Sequence, residues 1–275
     1  VRIDPVPVTT ADDPRVDAYL RLTDIDLRQA SEPARGLFIA EGHLVIERCA
    51  AQGLGFLSVL TARRWLARLE GVLAGLDVDV LVADDDVMQS ITGFRVHRGA
   101  LAAVARPTTL TVDDVLADSG DVLLLEDLVD PTNVGLAIRS AVVQGIDRVI
   151  VSPECADPLY RRAVKSSMGA VLRCHWSRSE DWPRTLAAVG HRRRLIALTP
   201  DGQDDLDTAL LQAGATEVAL MVGAEGPGLS AAAAAAAWRR CAIPMAAPGD
   251  SLNVAAATAI ACYARRRHSG ALLEP

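Results

Sequence analysis

The sequence predicts an α/β protein: a mostly parallel C-terminal sheet preceded by a smaller α/β unit. Three observations carry this. From Val122 onward, short apolar runs alternate with helix-patterned stretches. Those runs are continuous rather than alternating, which is how a strand covered on both faces reads. Ahead of them, between Gly36 and Pro107, a second set of strand and helix patterns makes a compact unit of about 70 residues, small but viable as a domain.

Residues 1–32 are rich in Asp, Pro and Thr and read as an N-terminal arm with a short helix near Asp17–Leu22. In the unit at 33–107, strands are expected at Leu37–Ala40, Phe56–Thr61, Val78–Val82 and Ala100–Ala105. Helices fall between them at Glu41–Ala51, Arg63–Leu69 and Asp84–Ile91; Gly53 and Gly93 end the first and last. Residues 108–119 read as a linker. In the domain at 120–275, strands are expected at Val122–Glu126, Val149–Ser152, Val171–Cys174, Leu195–Thr199, Val218–Val222 and Ala242–Pro244. Helices are expected at Val134–Gln144, Pro158–Ser166, Trp182–Val189, Ala231–Ala237 and Leu252–Arg266. The alanine run is a helix because alanine is the best helix former.

Composition narrows the class. Of 275 residues, 50% are hydrophobic and only 4% aromatic, so the core is aliphatic. The formal net charge of −7 argues against a protein that coats nucleic acid indiscriminately, though a local basic patch stays open. Nearly all cations are arginine, and Lys165 is the only lysine. Five cysteines at irregular spacing suggest buried thiols rather than a disulfide framework or a zinc site, so no metal is expected. The N-terminus has no signal-peptide core and no long apolar run crosses a membrane, so a cytoplasmic location is expected.

In parallel sheets, ligands bind beyond the carboxyl ends of the strands. Three loops there carry chemistry. The first, Glu126 to Gly135, enters a helix that Thr132 or Asn133 would cap; Gly135 permits close approach, and Arg139 follows about one turn on. The second, Met221 to Leu229, sets three glycines, a proline and Glu225 after an apolar strand. Neither GxGxxG nor GxxxxGK[ST] occurs, which removes the P-loop reading and ranks an unrelated α/β nucleotide-binding enzyme such as a dehydrogenase last. The third, Ile243 to Val254, is stiffened by prolines and enters a helix that Asp250 or Ser251 would cap, with Asn253 in its first turn. Each loop alone is also compatible with a plain turn or a capped helix.

Together, and in this order, Asn133-x-Gly135-x-x-x-Arg139, Val222-Gly223-x-Glu225-Gly226-x-Gly228-Leu229 and Ile243-Pro244-Met245-x(5)-Ser251-Leu252-Asn253-Val254-Ala255 resemble the three signature motifs of the SpoU branch of the SPOUT RNA methyltransferases. The first unit, through Phe38-Ile39-Ala40-Glu41-Gly42 and Val87-Met88…Ile91-Thr92-Gly93…Gly99, is similar to that family's substrate-binding domain, itself like ribosomal protein L30e. The resemblance implies a catalytic domain threaded into a trefoil knot. It implies S-adenosylmethionine held by Thr199, Pro200, Gly223, Ile243, Met245 and Leu252. It further implies a homodimer whose active sites lie at the subunit interface. The reaction implied is methylation of an RNA ribose 2′-OH. Arg139 is then essential, as base or as electrostatic stabiliser, with Asn133, Glu225, Ser251 and Asn253 completing a polar network. Ribosomal RNA of the 23S class is favoured over tRNA as partner. The alternatives are a tRNA methyltransferase and a non-catalytic RNA-binding module. Candidate RNA contacts are Arg35, Arg95 and Arg98, with His97, in the first unit and Arg161, Arg162 and Lys165 further on. Arg173, Arg178 and the run His191–Arg194 extend the candidate basic face.

Overall fold

The computed structural model describes residues 4–96, 99–246 and 251–269. The chain divides into two units, one made of residues 1–108 with 157–172, the other of 109–156 with 173–275.

The first unit runs β1 (Pro5–Pro7), α1 (Ile25–Ala34), β2 (Leu37–Glu41), α2 (His43–Ala51), β3 (Phe56–Thr61), α3 (Leu66–Leu73), β4 (Val80–Val82), α4 (Asp85–Thr92) and β5 (Ala100–Ala105). Its mixed sheet has the order β1-β4-β3-β5-β2, with β5 antiparallel to both neighbours. Pro5 and Pro7 fit an edge strand, where a missing N–H costs no ladder bond. The core joins Leu37, Ile39, Leu60, Leu81, Met88, Ile91 and Leu101 with Val16, Tyr19 and Leu22 from the N-terminal segment. The β3–β5 register slips between Phe56 and Ser58. At that irregularity the buried Tyr19 hydroxyl accepts from Ala103 N–H (3.1 Å) and donates to the Ser58 carbonyl (2.8 Å). Burial pushes the phenol pKa well above its ordinary value.

The second unit begins with α5 (Val112–Ala117), β6 (Val122–Leu125), α6 (Pro131–Val143) and β7 (Arg148–Val151). The chain next gives α7 (Arg161–Ser166) to the first unit, where it packs on β2. It returns with β8 (His175–Arg178), α8 (Trp182–Arg192), β9 (Arg194–Leu198), β10 (Asp204–Asp205), α9 (Leu206–Ala213), β11 (Val218–Val222), α10 (Ala231–Ala236), β12 (Arg239–Ala242) and α11 (Val254–His268). These strands form an all-parallel sheet ordered β10-β12-β9-β11-β6-β7-β8. On one face Val122, Leu124, Ala219 and Met221 pack with Val115, Trp182, Leu186 and Ala233 from α5, α8 and α10. Helix α11 lies beside α6 and α9. Burial of the central strands on both faces accounts for their unbroken apolar runs.

Several elements differ from expectation. The strand expected at Val171–Cys174 is a 3-10 turn over Ala170–Arg173, and the strand is instead His175–Arg178. As the sheet's edge, β8 has neighbours on one side only and can carry His and Arg. The last strand is Arg239–Ala242 rather than Ala242–Pro244, and the last helix opens at Val254. The expected linker holds α5, started by a reciprocal Thr111–Asp114 capping box. The helix expected near Asp17–Leu22 is a 3-10 helix over Pro14–Tyr19, and strands β1 and β10 and helices α1 and α9 had no counterpart in the sequence reading.

Among the described residues no helix is long and apolar enough to cross a membrane, and no cluster of His, Cys, Asp and Glu is grouped to hold a metal ion. Burial pushes the Cys49 and Cys262 thiols up to about 12.

Away from its loops the second unit is latched by a buried ion pair. Arg265 of α11 donates to Asp121 (2.7 and 3.1 Å), Gly214 O (2.8 Å) and Thr216 O (3.0 Å), and Asp121 also accepts from Val218 N–H (2.8 Å). Removing one member of a buried pair leaves the other charge uncompensated. Arg265→Ala is therefore expected to lower unfolding stability by about 3 kcal/mol. Urea denaturation followed by circular dichroism checks this, and an unchanged midpoint would show the latch to be idle.

Candidate functional site

The carboxyl ends of β6, β11 and β12 lead into the three loops singled out above. Asp130 caps α6, its side chain accepting from Thr132 N–H at 2.9 Å with Pro131 in the first turn. The cap is therefore not Thr132 or Asn133: an acid just before a helix-starting proline takes that position. Asn133 is free to turn its buried amide sideways.

That amide donates to Glu225 Oε1 at 2.8 Å. Asn253 Nδ2 donates to the same oxygen at 2.9 Å and lies 3.2 Å from Asn133 Oδ1. Asn253 Oδ1 meanwhile accepts from Ala255 N–H at 2.9 Å and so caps α11. The expected caps are corrected accordingly: Ser251 precedes the cap, and Asp250 lies outside the described residues. Capping occupies the Asn253 carbonyl oxygen and leaves its NH2 for the carboxylate, which settles the amide orientation. One carboxylate oxygen thus ties together residues from three distant loops.

Beside this node lies a cavity of about 760 Å³. It is lined by Thr199, Pro200, Gly223, Ile243, Met245 and Leu252, all six expected cofactor contacts, and also by Glu225, Ser251 and Asn253. Gly223 is required sterically: a Cβ there would sit 2.4 Å from the Gly228 carbonyl carbon. Gly228 follows at φ +71, a backbone conformation that favours glycine. Met245 and Leu252 are each more than a third exposed, unusual for large apolar side chains lining a pocket unless a ligand covers them.

Two polar residues of the lining, Asp201 and Arg240, escaped the sequence reading. Asp201 accepts from the Thr199 hydroxyl and from Arg240 Nη2 (2.7 Å), and these contacts hold its carboxyl below the usual range. Their only sequence signal was position after a strand and at a strand start. Glu126, at the end of β6, was seen only as the beginning of a loop, yet it is a buried carboxylate with three donors.

Arg139 stands apart from the node. It lies six positions beyond Asn133 on α6 and therefore on another face. It is exposed and makes no hydrogen bond or ion pair with the described residues. Its stripe comprises Leu136, Arg139, Ser140 and Val143, at helical i, i+3, i+4, i+7 spacing.

Several of the candidate cations have partners within their own unit. Arg161 is buried, pairs with Glu41, donates to Leu22 O and lies over the Phe94 ring; Lys165 pairs with the same Glu41. Arg178 donates to the carbonyls of Ser152, Pro153 and Cys155. Arg192 and Arg193 donate to those of Leu116, Gly120 and Asp118. These cations fold the chain, because a guanidinium can satisfy several carbonyls at once. Arg35 pairs with Asp17 at the surface. Arg95 and Arg162 are exposed, while His97 and Arg98 lie outside the described residues.

The SpoU rRNA methylase family model matches residues 121–263. A protein named as an uncharacterized tRNA/rRNA methyltransferase of Mycobacterium tuberculosis is 41% identical, over 96% of this chain and 93% of its own. Another of that description, from Synechocystis, is 28% identical over 88% of each chain. Among solved structures, an AdoMet-bound rRNA methyltransferase from Sinorhizobium meliloti superposes with a TM-score of 0.80 at 25% identity, covering 98% of this chain and 99% of its own. A structure described as an RNA 2′-O ribose methyltransferase gives a TM-score of 0.76 at 25% identity, covering 96% and 99%. The chain belongs to the SpoU rRNA methylase family and is an RNA methyltransferase.

Proposed function

We propose that the protein methylates a ribose 2′-OH of RNA, with 23S ribosomal RNA favoured over tRNA. The observation that carries this reading is the Asn133–Glu225–Asn253 node at the wall of the 760 Å³ cavity. The methyl donor is S-adenosylmethionine, whose sulfonium supplies an electrophilic methyl group. The residues present fit it. Ile243, Met245 and Leu252 offer apolar walls, and Thr199, Pro200 and Gly223 bring strand-end backbone alongside them. Similarity along nearly the whole chain to an rRNA methyltransferase supports the choice of ribosomal RNA, and RNA gripping by the first unit, with Arg95, Arg98 and Arg162 as its cations, belongs to the same proposal. The trefoil knot belongs to the same proposal.

A ribose hydroxyl is a weak nucleophile: it passes its proton to water or an adjacent RNA phosphate as its oxygen takes the methyl group, the sulfur–methyl bond breaks and a neutral thioether leaves, so alkoxide character builds on the oxygen. A guanidinium stays protonated below about pH 12, so Arg139 acts as a fixed cation that stabilises the incoming oxygen. Asn133, Glu225 and Asn253 hold the loops in register, and Ser251 adds a hydroxyl to the cavity wall.

Both α6 and α11 carry exposed large apolar side chains. Val143 is 59% exposed, Ile260 41% and Tyr263 54%, and the two helices pack side by side. Large apolar side chains grouped on paired helices mark a homodimer face. On that face Arg139 faces the second subunit, and each active site is completed at the interface.

Incubating the protein with methyl-labelled S-adenosylmethionine and either 23S RNA or tRNA, then digesting to nucleosides, tests the assignment. Label in a 2′-O-methylnucleoside from 23S RNA is expected. A base-methylated product overturns the ribose target, and label in tRNA alone overturns the RNA preference. Arg139→Ala is expected to slow transfer by about 10²–10³-fold, with cofactor affinity by calorimetry unchanged. Ile260→Glu with Tyr263→Glu is expected to convert the dimer to a monomer in light scattering and abolish activity; a dimer that persists removes this face as the interface.

A further inference from the structure

Glu126 occupies an unusual place. It is buried, it follows the last residue of β6, and no cation lies within ion-pairing distance of it among the described residues. Three neutral donors satisfy its carboxylate: Trp182 Nε1 (2.6 Å) and Ser230 Oγ (2.7 Å) on Oε1, and Ser230 N–H (2.8 Å) on Oε2. Its own N–H donates to Val222 O at 2.9 Å.

Val222 is where the glycine-rich loop leaves β11, and Ser230 is where that loop ends and α10 is capped. One residue therefore holds both ends of the Gly223–Leu229 segment. Between those ends the loop is tight: Gly228 N–H donates to Ala224 O at 3.0 Å, and the Gly228 backbone leaves no room for a side chain at position 223. The same segment lines the cavity and carries Glu225. Trp182, at the start of α8, fixes the carboxylate so that both oxygens face their donors.

We propose that Glu126 is a positioning residue that sets the shape of the donor-binding loop, so that affinity for S-adenosylmethionine depends on its carboxylate. This rests on the reading of the cavity as the methyl-donor site. Every group facing the carboxylate is a donor, so an acceptor is needed at both oxygens. A glutamine has one acceptor oxygen and would turn its NH2 against a donor, leaving at least one bond unmade. Aspartate keeps two acceptors on a shorter arm.

The test is titration calorimetry with S-adenosylmethionine on the wild-type protein and on Glu126→Gln, Glu126→Asp, Ser230→Ala and Trp182→Phe, together with thermal melts without ligand and methyl transfer at saturating donor. Glu126→Gln is expected to raise Kd at least about tenfold, equivalent to ~1.4 kcal/mol. The maximal transfer rate should stay within a few-fold, and Glu126→Asp should recover part of the affinity. Ser230→Ala and Trp182→Phe, each removing one donor, should raise Kd by smaller factors. They keep the proposal open to refutation if Glu126→Gln fails to fold. Wild-type affinity in the glutamine variant, or in both single-donor variants, overturns the proposal. A loss confined to melting temperature or to the maximal rate also overturns it. A wild-type protein that binds no S-adenosylmethionine overturns the reading of the cavity, and this proposal with it.

Discussion

The second unit is organised around a single oxygen atom. Glu225 Oε1 accepts from the side-chain amides of both Asn133 and Asn253, residues far apart in sequence that start two different helices. A carboxylate is the group suited to that task, since it accepts several hydrogen bonds and donates none. Each asparagine has a second duty that fixes its pose. Asn253 caps α11 through its carbonyl oxygen, and Asn133 is buried in the first turn of α6. Because the loops converge on this oxygen, the cavity beside it has a defined wall.

That convergence needs rigid supports, and the parallel sheet supplies them. Central strands β6, β9 and β11 are buried on both faces, so their carboxyl ends are fixed by packing. Two further carboxylates work at opposite ends of β6. At its start Asp121 binds Arg265 and latches the C-terminal helix; just past its end Glu126 gathers Val222, Ser230 and Trp182. The chemistry lies at the second end, where backbone leaves the ladder and its polar groups become available to a ligand.

The arginine-rich composition also finds a physical account. Many of these side chains bind carbonyl groups or buried carboxylates within their own unit: Arg28 with Glu32, Arg161 with Glu41, Arg178 with three carbonyls, and Arg193 with two. A guanidinium is suited to this because its donors are fixed in a plane and can serve several acceptors. Others, Arg95, Arg139 and Arg162 among them, are exposed with no ion pair among the described residues. An overall acidic chain fits selective rather than indiscriminate contact with RNA.

Periodicity in the sequence was enough to identify the α/β class, the parallel sheet and the position of the three loops, because strands buried on both faces leave continuous apolar runs that survive any local context. Resemblance to the SpoU family, carried by three motifs in order, implied Asn133, Glu225, Asn253 and the six residues that line the cavity. Edge strand β8 was misplaced because a one-sided strand tolerates polar residues, and β1 was missed because two of its three residues are prolines, which argue against a strand. Which cations are available was decided only in three dimensions. Nothing local distinguishes Arg161, locked to Glu41, from Arg162, exposed beside it, since their partners lie far away in sequence. The same holds for Glu126, whose donors Trp182 and Ser230 reach it only once the sheet has closed.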